Sequence, residues 1–136
     1  MSGRTPEPLN SEIISWAEVN RTHRIRNGVY QRCGHLVSLL TDFGRINPCY
    51  PDRLAETGDY IYYIGEGRHG DQTMTPGNRA LLAAIESGHA VPLFNKLGVG
   101  RWQHMGFWRV TSARQFFDEN EQRMLWQFTL ERDRKG

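Results

Sequence analysis

The stretch YIYYIGEGRHGDQTMTPGNRALL, residues 60–82, decides the fold of this chain. It opens with aromatic and β-branched residues, which are typical of a strand. Thr75 is a good helix cap, Pro76 suits the first helical position, and Gly88 suits the position just after a helix. The pattern therefore predicts a strand, a glycine-rich turn and a helix over residues 76–87.

The turn GEGRHG, residues 65–70, has the G-x-G-x-x-G spacing of dinucleotide-binding sites. Those sites need a helix that begins at the glycines, so that its N-terminus faces the pyrophosphate, with parallel strands on both sides. Here the residues DQTMTP follow the last glycine, and the later strands are predicted to be antiparallel. The spacing is therefore interpreted as accidental, and no cofactor is expected.

The N-terminal segment is predicted to contain one short helix. Residues 1–9 hold two prolines and polar residues, which indicate a loose tail. The segment NSEIISWAEVNRT that follows has a mostly one-sided apolar pattern. This pattern predicts a helix capped by Asn10 or Ser11, with Glu12 in its first turn.

Three segments in the middle of the chain are predicted to be a strand, a loop and another strand. GHLVSLLTD, residues 34–42, is typical of a buried strand, although a short leucine-rich run also fits a helix. Residues 43–59 are rich in proline, glycine and turn-forming residues, which indicates an irregular loop. AVPLFNKLG, residues 90–98, predicts an edge or interrupted strand because Pro92 cannot donate a hydrogen bond.

The C-terminal third predicts two further strands, over residues 101–116 and 123–132. In the second, alternate positions carry large apolar side chains, as in a half-buried strand: Met124, Trp126, Phe128 and Leu130. Short connections favour antiparallel pairing. The predicted fold class is α+β, a curved sheet or small β-barrel with one or two flanking helices.

Composition limits the class of protein. The 136 residues are 38% hydrophobic and 24% charged with a net charge of +2, which fits one folded domain. Cys33 and Cys49 lack C-x-x-C spacing and are expected to be free thiols in a reducing, cytoplasmic compartment. No signal peptide or apolar run long enough to span a bilayer is recognised, so no membrane association is expected.

The residue spacing does not support metal or nuclease chemistry. The five histidines have no zinc-type spacing, so no metal is expected. The carboxylates of residues 52–71 form no recognisable paired-metal motif, and no lysine precedes Lys96. A non-catalytic domain is therefore expected. All basic residues except Lys96 and Lys135 are arginine, which suits phosphate contacts, although a GC-rich gene gives the same bias.

Several motifs in order resemble the SRA (SET- and RING-associated, YDG) domain. YYIGEGRHGDQTMTPGNRALL is similar to that family's aromatic strand, its T/I-G-x-G turn, its D-Q pair and its N-R-A-L helix start. GVYQR, CYPDRL, GHAVPLF, GFWRVTSARQFF and LWQFTLERD resemble flanking family segments. The resemblance covers about residues 28–133 and is closest to the SRA-like modules of bacterial HNH-type, modification-dependent restriction endonucleases. It implies an N-terminal tail and short helix over residues 1–27 and an SRA-like, PUA-like domain over residues 28–136.

The resemblance implies binding of double-stranded DNA that contains 5-methylcytosine or another modified cytosine. Such domains flip the base out of the duplex into an aromatic pocket. It also implies a reader module of a bacterial restriction or defence system, associated with the nucleoid when bound and acting with a nuclease domain or subunit. Two alternatives stay open: a PUA-like module for RNA or a modified nucleotide, and the specificity part of a nuclease with catalysis elsewhere.

The resemblance also assigns four pocket residues. Tyr50 and Tyr63 match the rings that stack on the two faces of the base, and Asp52 matches the carboxylate that accepts from the cytosine amino group. Ile64 stands where the eukaryotic family has a threonine near the C5 substituent, which leaves the modification undecided. An ordinary loop aromatic at Tyr50 and a core residue at Tyr63 are the structural alternatives.

The remaining predicted contacts are to the DNA backbone. They comprise Gly65, Gly67, Arg68, His69, Arg79 and Arg101. For Arg79, with Asn78, a role in anchoring the helix is favoured over a DNA contact, and His69 also fits a solvated loop. Asp71 is expected to tie the turn to the helix start. Between the GEG turn and the NRAL helix start, this chain is several residues shorter than the eukaryotic readers, which carry an arginine finger there, so loop 43–49 or 95–102 is expected to fill the space that the base leaves.

Overall fold

The computed structural model describes residues 12–134 of the protein. The predicted tail over residues 1–9 and the predicted caps Asn10 and Ser11 lie outside this range. Within it the chain forms eight strands and two helices. They are β1 Ile13–Ile14, α1 Trp16–Asn20, β2 Val29–Arg32, β3 His35–Thr41, β4 Arg53–Leu54, β5 Tyr60–Ile64, α2 Pro76–Ser87, β6 Val91–Gly98, β7 Arg101–Asp118 and β8 Arg123–Arg132.

All eight strands belong to one sheet, in the order β2-β3-β6-β7-β8-β5-β4, with β1 paired to β7. Neighbouring strands are antiparallel except for β3 and β6, which run parallel. The two end strands, β2 and β4, do not pair with each other, so the sheet is open. The predicted α+β sheet domain is confirmed, and the barrel alternative is not observed.

Helix α2 begins and ends where its capping residues, Thr75 and Gly88, predict. The Thr75 side chain accepts a hydrogen bond from the Asn78 amide at 3.1 Å, and Gly88 ends the helix with a φ of +66°. A side chain at such a φ would clash with the backbone, which explains the glycine. The buried face of α2, which includes Leu81, lies against β2, β3 and β7. This packing forms the main core.

The prediction for the N-terminal helix is wrong at its start. Ile13 and Ile14 pair with β7 as a short strand, and the helix begins only at Trp16. Ser15 caps it by accepting from the Glu18 amide at 3.2 Å, while the Glu18 carboxylate accepts from the Ser15 amide. This reciprocal capping box sets the boundary.

Two predicted strands differ from their expected environments. β6 is interrupted, with a register shift between Pro92 and Phe94, but it is an internal strand rather than an edge. In β8, Phe128 and Leu130 are buried as predicted, but Leu125 is also fully buried, out of phase with them. The glycine turn hydrogen-bonds to the backbone of Met124 and Trp126, so it pairs with the first half of β8 along the edge that β5 leaves free.

Candidate functional site

A cavity of about 600 Å³ opens between loop 42–52, the end of β5 and the glycine turn. Four residues that the sequence assigns to a base pocket line it together: Tyr50, Asp52, Tyr63 and Ile64. They come from two segments that only the tertiary structure brings together. Their individual roles stay predictions.

Asp52 is a buried carboxylate in the cavity wall, with 6% of its surface exposed. Its Oδ2 accepts from the Thr41 hydroxyl at 2.6 Å, and its Oδ1 accepts from the Ile64 amide at 2.7 Å. Burial raises the pKa of Asp52 to about 7, although both hydrogen bonds favour the charged form. Each carboxylate oxygen has a further lone pair. The group can therefore accept a hydrogen bond from a ligand.

Tyr63 both packs in the main core and lines the cavity. Its hydroxyl lies 2.7 Å from the Leu40 carbonyl oxygen and 3.2 Å from that of Gly28. Burial raises the pKa of this hydroxyl well above its ordinary value. The hydroxyl thus stays a donor and connects β5 to β3, which holds the back wall of the cavity in place.

Replacing Tyr63 with phenylalanine is expected to lower the free energy of unfolding by about 1 kcal/mol, because the Leu40 carbonyl loses this donor while the Gly28 carbonyl still accepts from the Leu40 amide. Chemical denaturation of the two proteins measures the difference. Tyr62→Phe is the matched control, since the Tyr62 ring is only partly buried and lies beneath Arg53. Equal midpoints for all three proteins would contradict the structural role of the Tyr63 hydroxyl.

Tyr50 is the accessible aromatic of the cavity. It is half-buried in loop 42–52, where the Asp42 carboxylate orders the chain by accepting from the amides of Gly44 at 2.7 Å and Asn47 at 2.8 Å. Burial raises the pKa of Tyr50, and a backbone hydrogen bond with Gly67 opposes this rise. The ring therefore stands on an ordered loop in the wall of the cavity.

The glycines of the turn have mainly structural explanations. A Cβ at Gly65 would lie 2.7 Å from the Asn78 Oδ1, and the Gly65 amide donates to the Trp126 carbonyl at 2.8 Å. That amide has no free hydrogen for a phosphate, which contradicts a backbone contact through the Gly65 N–H. Gly67 has a φ of +124°, which requires glycine, and it lines the cavity.

Two residues that the sequence did not single out fasten this turn. Gln72 donates to the Gly65 carbonyl at 2.6 Å and accepts from the Trp126 amide at 2.7 Å. Arg123 is buried and donates to the carbonyls of Gly67 at 2.7 Å and Cys49 at 3.2 Å. Arg123 thus connects the turn to the loop that carries Tyr50. The D-Q pair of the family resemblance could have indicated the role of Gln72, whereas no local sequence pattern indicated the role of Arg123.

Other polar residues of the stretch anchor the helix. Asn78 is fully buried and donates to the Glu66 and Thr73 carbonyls at 3.0 and 2.8 Å, and Arg79 donates to the Met74 carbonyl at 3.0 Å. The favoured anchoring role of Asn78 and Arg79 is confirmed.

Asp71 is also structural, but its predicted partner is wrong. Its carboxylate accepts from the Met124 amide of β8 at 2.8 Å, and not from the helix start. The next residue of the turn, Gln72, pairs with the same strand, since its amide donates to the Met124 carbonyl at 2.9 Å. Asp71 therefore fixes the turn to the sheet.

Three basic side chains are among the residues that line the cavity. Arg26, Arg68 and Lys96 line it, whereas His69, Arg79 and Arg101 are exposed and are not among its lining residues. Within residues 12–134, no group of three or more histidine, cysteine or acidic side chains could hold a metal ion. Neither described helix has the length and apolar character needed to cross a membrane.

A family model and several solved structures match this chain. The model described as ScoMcrA-like, SRA domain, matches residues 24–132, which confirms the SRA resemblance. The fold is similar to the SRA domain of SUVH5 in complex with hemimethylated CG DNA, with a TM-score of 0.77 and 21% identity, covering 98% of this chain and 94% of that one. No curated protein sequence matches the chain.

Two further solved structures share the fold at the same low identity. The SUVH5 SRA domain bound to fully hydroxymethylated CG DNA has a TM-score of 0.73 and 21% identity, covering 93% of this chain and 89% of that one. The modification-dependent TagI restriction endonuclease has a TM-score of 0.75 and 21% identity, covering 97% of this chain and 52% of that one. This chain therefore spans about half of the TagI chain.

Proposed function

Because the chain belongs to the ScoMcrA-like SRA domain family, we propose that it binds duplex DNA containing a modified cytosine and holds the extruded base in the cavity beside Asp52. The observation that carries this proposal is the buried Asp52 carboxylate in the wall of a cavity that Tyr50 and Tyr63 also line. A carboxylate in this setting suits the amino group of cytosine. The SUVH5 complexes with methylated DNA support the choice of ligand.

The cavity supplies the interactions that extrusion of a base requires. Turning a base out of the duplex costs a few kcal/mol, which stacking and hydrogen bonds to the base edge must offset. Tyr50 offers a ring for stacking, and Asp52 offers an acceptor for the edge. Arg26, Arg68 and Lys96 at the mouth can contact the flanking phosphates.

The wall near Ile64 is proposed to sense the C5 substituent. Ile64 is 5% exposed and lines the cavity, and its amide is already bonded to Asp52. Its side chain carries no hydroxyl, so it can recognise a substituent only through shape and apolar contact. A methyl group suits such a wall.

We propose further that the domain is non-catalytic and acts with a nuclease domain or subunit. The fold match to 52% of the chain of TagI, a modification-dependent restriction endonuclease, supports the choice of a nuclease as partner. The isolated chain is expected to leave a modified duplex intact in the presence of magnesium. The purified protein could instead cleave DNA in the presence of magnesium while a variant that cannot bind DNA does not. That result would contradict the proposal that the domain is non-catalytic.

Titration of four matched duplexes tests the proposed function. They carry cytosine, 5-methylcytosine, 5-hydroxymethylcytosine or glucosylated cytosine at one position, and binding is followed by fluorescence anisotropy at a stated salt concentration. Tighter binding of a modified duplex is expected. Equal affinity for all four duplexes would overturn the proposal, and stronger competition by structured RNA would favour the RNA-binding alternative.

The affinity for a modified duplex is expected to fall about tenfold between pH 8 and pH 6. The pKa of Asp52 is about 7 in the free protein, and a bound amino donor stabilises the ionised form, so binding below pH 7 must release a proton. Anisotropy titrations across this range measure the effect. The Asp52→Asn variant keeps every histidine, so the ratio of the wild-type affinity to the variant affinity at each pH isolates the titration of Asp52. A wild-type affinity that rises on acidification relative to this variant would contradict the assignment.

A further inference from the structure

Helix α1 lies before the region that the family model matches, and it packs beside the cavity. The match begins at residue 24, whereas Trp16 is the first residue of α1. The centroid of the Trp16 ring lies 5.4 Å from that of Trp102, a buried residue that lines the cavity. Ile13 and Ile14, just before the helix, pair with β7. The start of the described chain is therefore fixed next to the cavity.

Arg26 is held against the Trp16 ring. Its guanidinium carbon lies 4.4 Å from the centroid of this ring, and Arg26 also lines the cavity. A guanidinium that lies over a ring contacts it through its planar face, which leaves the N–H groups of its edge free to donate. Within residues 12–134, no carboxylate forms an ion pair with Arg26. Arg26 therefore brings a positive charge without an acidic partner to the cavity.

The short loop that carries Arg26 is fixed at both ends. His23 is fully buried, and its Nε2 donates to the Asn27 carbonyl at 2.6 Å, which closes the loop. The carbonyl of the following residue, Gly28, accepts from the Leu40 amide of β3 at 2.8 Å. Asn27 and Gly28 line the cavity as well. The backbone of Arg26 is thus set by the cavity wall and its side chain by Trp16.

We propose that Trp16 is a positioning residue that holds Arg26 for a bidentate contact with a phosphate next to the extruded nucleotide, an inference that rests on the proposed function. A base enters the cavity only if the backbone on both sides of it crosses the rim, so the flanking phosphates come close to the lining residues. The edge of a guanidinium donates two parallel N–H bonds to a phosphate. An arginine already held on a ring loses less side-chain freedom when it binds.

A matched arginine elsewhere in the sheet provides the control. Four arginines within residues 12–134 lie over aromatic rings, and of these four only Arg26 lines the cavity. Arg114 is exposed like Arg26, and its guanidinium carbon lies 5.1 Å from the centroid of the Phe116 ring. The Arg114→Gln variant therefore removes the same charge and the same kind of ring contact away from the cavity.

Duplexes with one neutral phosphate test the contact of Arg26. Each of the two phosphates that flank a 5-methylcytosine is replaced in turn by a methylphosphonate, and binding is followed by fluorescence anisotropy. The wild type and Arg114→Gln are expected to lose about tenfold in affinity at one of the two positions, because a charge-assisted contact is removed there. Arg26→Gln has already lost this contact, so the same replacement is expected to cost it less than about twofold.

Variants of Trp16 test its positioning role. Trp16→Leu removes the ring and leaves Arg26 in place, so the methylphosphonate effect is expected to shrink to about threefold. Trp16→Phe keeps a ring and should retain most of the effect. Arg26→Lys leaves α1 unchanged and tests the bidentate contact even where Trp16→Leu does not fold. Lysine keeps the charge but lacks the planar edge, so an effect of about threefold is expected again.

The outcomes separate this inference from the proposed function. If the wild type prefers the modified duplex but loses no more than Arg26→Gln at either methylphosphonate, or if Arg26→Lys keeps the full effect, the bidentate contact is overturned and the reader function stands. If a folded Trp16→Leu protein keeps the full effect, the positioning role of Trp16 is overturned. If the wild type shows no preference for modified DNA, the proposed function fails and this inference fails with it. Denaturation midpoints show which variants fold.

Discussion

Replacing Asp52 with asparagine is expected to weaken binding to a modified duplex by about 50-fold and to remove most of the preference for the modified base. The amide has one acceptor oxygen where the carboxylate has two. The Ile64 amide needs that oxygen as its acceptor, so the NH₂ group replaces the oxygen beside the Thr41 hydroxyl and can no longer accept from the amino group of the base. Two donors then oppose each other inside a buried wall, where an unpaired polar group is most costly. Anisotropy titrations of modified and unmodified duplexes measure both effects.

Asp59→Asn is the matched control for this substitution. Unlike the buried Asp52, Asp59 is only partly buried, pairs with Arg134 and does not line the cavity. Its variant is expected to bind as the wild type does. The free energy of unfolding of both variants shows whether a loss of binding reflects a loss of folding. An Asp52→Asn protein that keeps its full preference for modified DNA would remove the main support for the cavity as the base site.

Replacing Arg123 with methionine is expected to lower the free energy of unfolding by about 3 kcal/mol. The guanidinium donates to the carbonyls of Gly67, Gly70 and Cys49, and its Nε lies 3.7 Å from the Glu121 carboxylate. Methionine fills similar space but donates no hydrogen bond, so the Gly70 and Cys49 carbonyls lose this donor and the Gly67 carbonyl keeps only its bond from the Gln72 side chain at 3.2 Å. Because Arg123 holds the glycine turn beside the Tyr50 loop, DNA affinity is expected to fall as well. Denaturation and anisotropy titrations measure the two losses.

Two further variants test whether the loss of stability in Arg123→Met comes from the carbonyl contacts of Arg123. Arg123→Lys retains the charge but cannot reach three carbonyls with a planar fork, so it should restore only part of the stability. Arg114→Met removes an exposed arginine of β7 that lies over Phe116 and is expected to change stability by less than about 0.5 kcal/mol. If Arg123→Met and Arg114→Met lower the free energy of unfolding equally, the carbonyl contacts of Arg123 do not stabilise the fold as proposed.

The structure bears differently on the predicted pocket residues and on the predicted backbone contacts. Tyr50, Asp52, Tyr63 and Ile64 line one cavity, and their roles toward a base stay predictions. The backbone contacts were assigned by position on a glycine turn, and a turn does not show which of its amides are already paired. The Gly65 amide is paired with Trp126, a residue far along the chain.

The sequence by itself determined the strand, turn and helix of residues 60–87, because the signals that set them are local. Thr75 and Pro76 begin the helix and Gly88 ends it through their own backbone preferences. The order of the family motifs likewise identified the SRA fold. The N-terminal boundary failed because pairing with β7 took Ile13 and Ile14 into the sheet.

Only the tertiary structure decided which polar groups are free to meet a ligand. Arg123 finds its carbonyl partners more than fifty residues away in the sequence, and Asp52 is buried by segments that are not its neighbours. The fold connects the GEGRHG turn to β8 and to the Tyr50 loop. Burial and hydrogen bonding between distant segments depend on the complete fold, so no local pattern could have predicted that the turn is a fastened wall of the cavity.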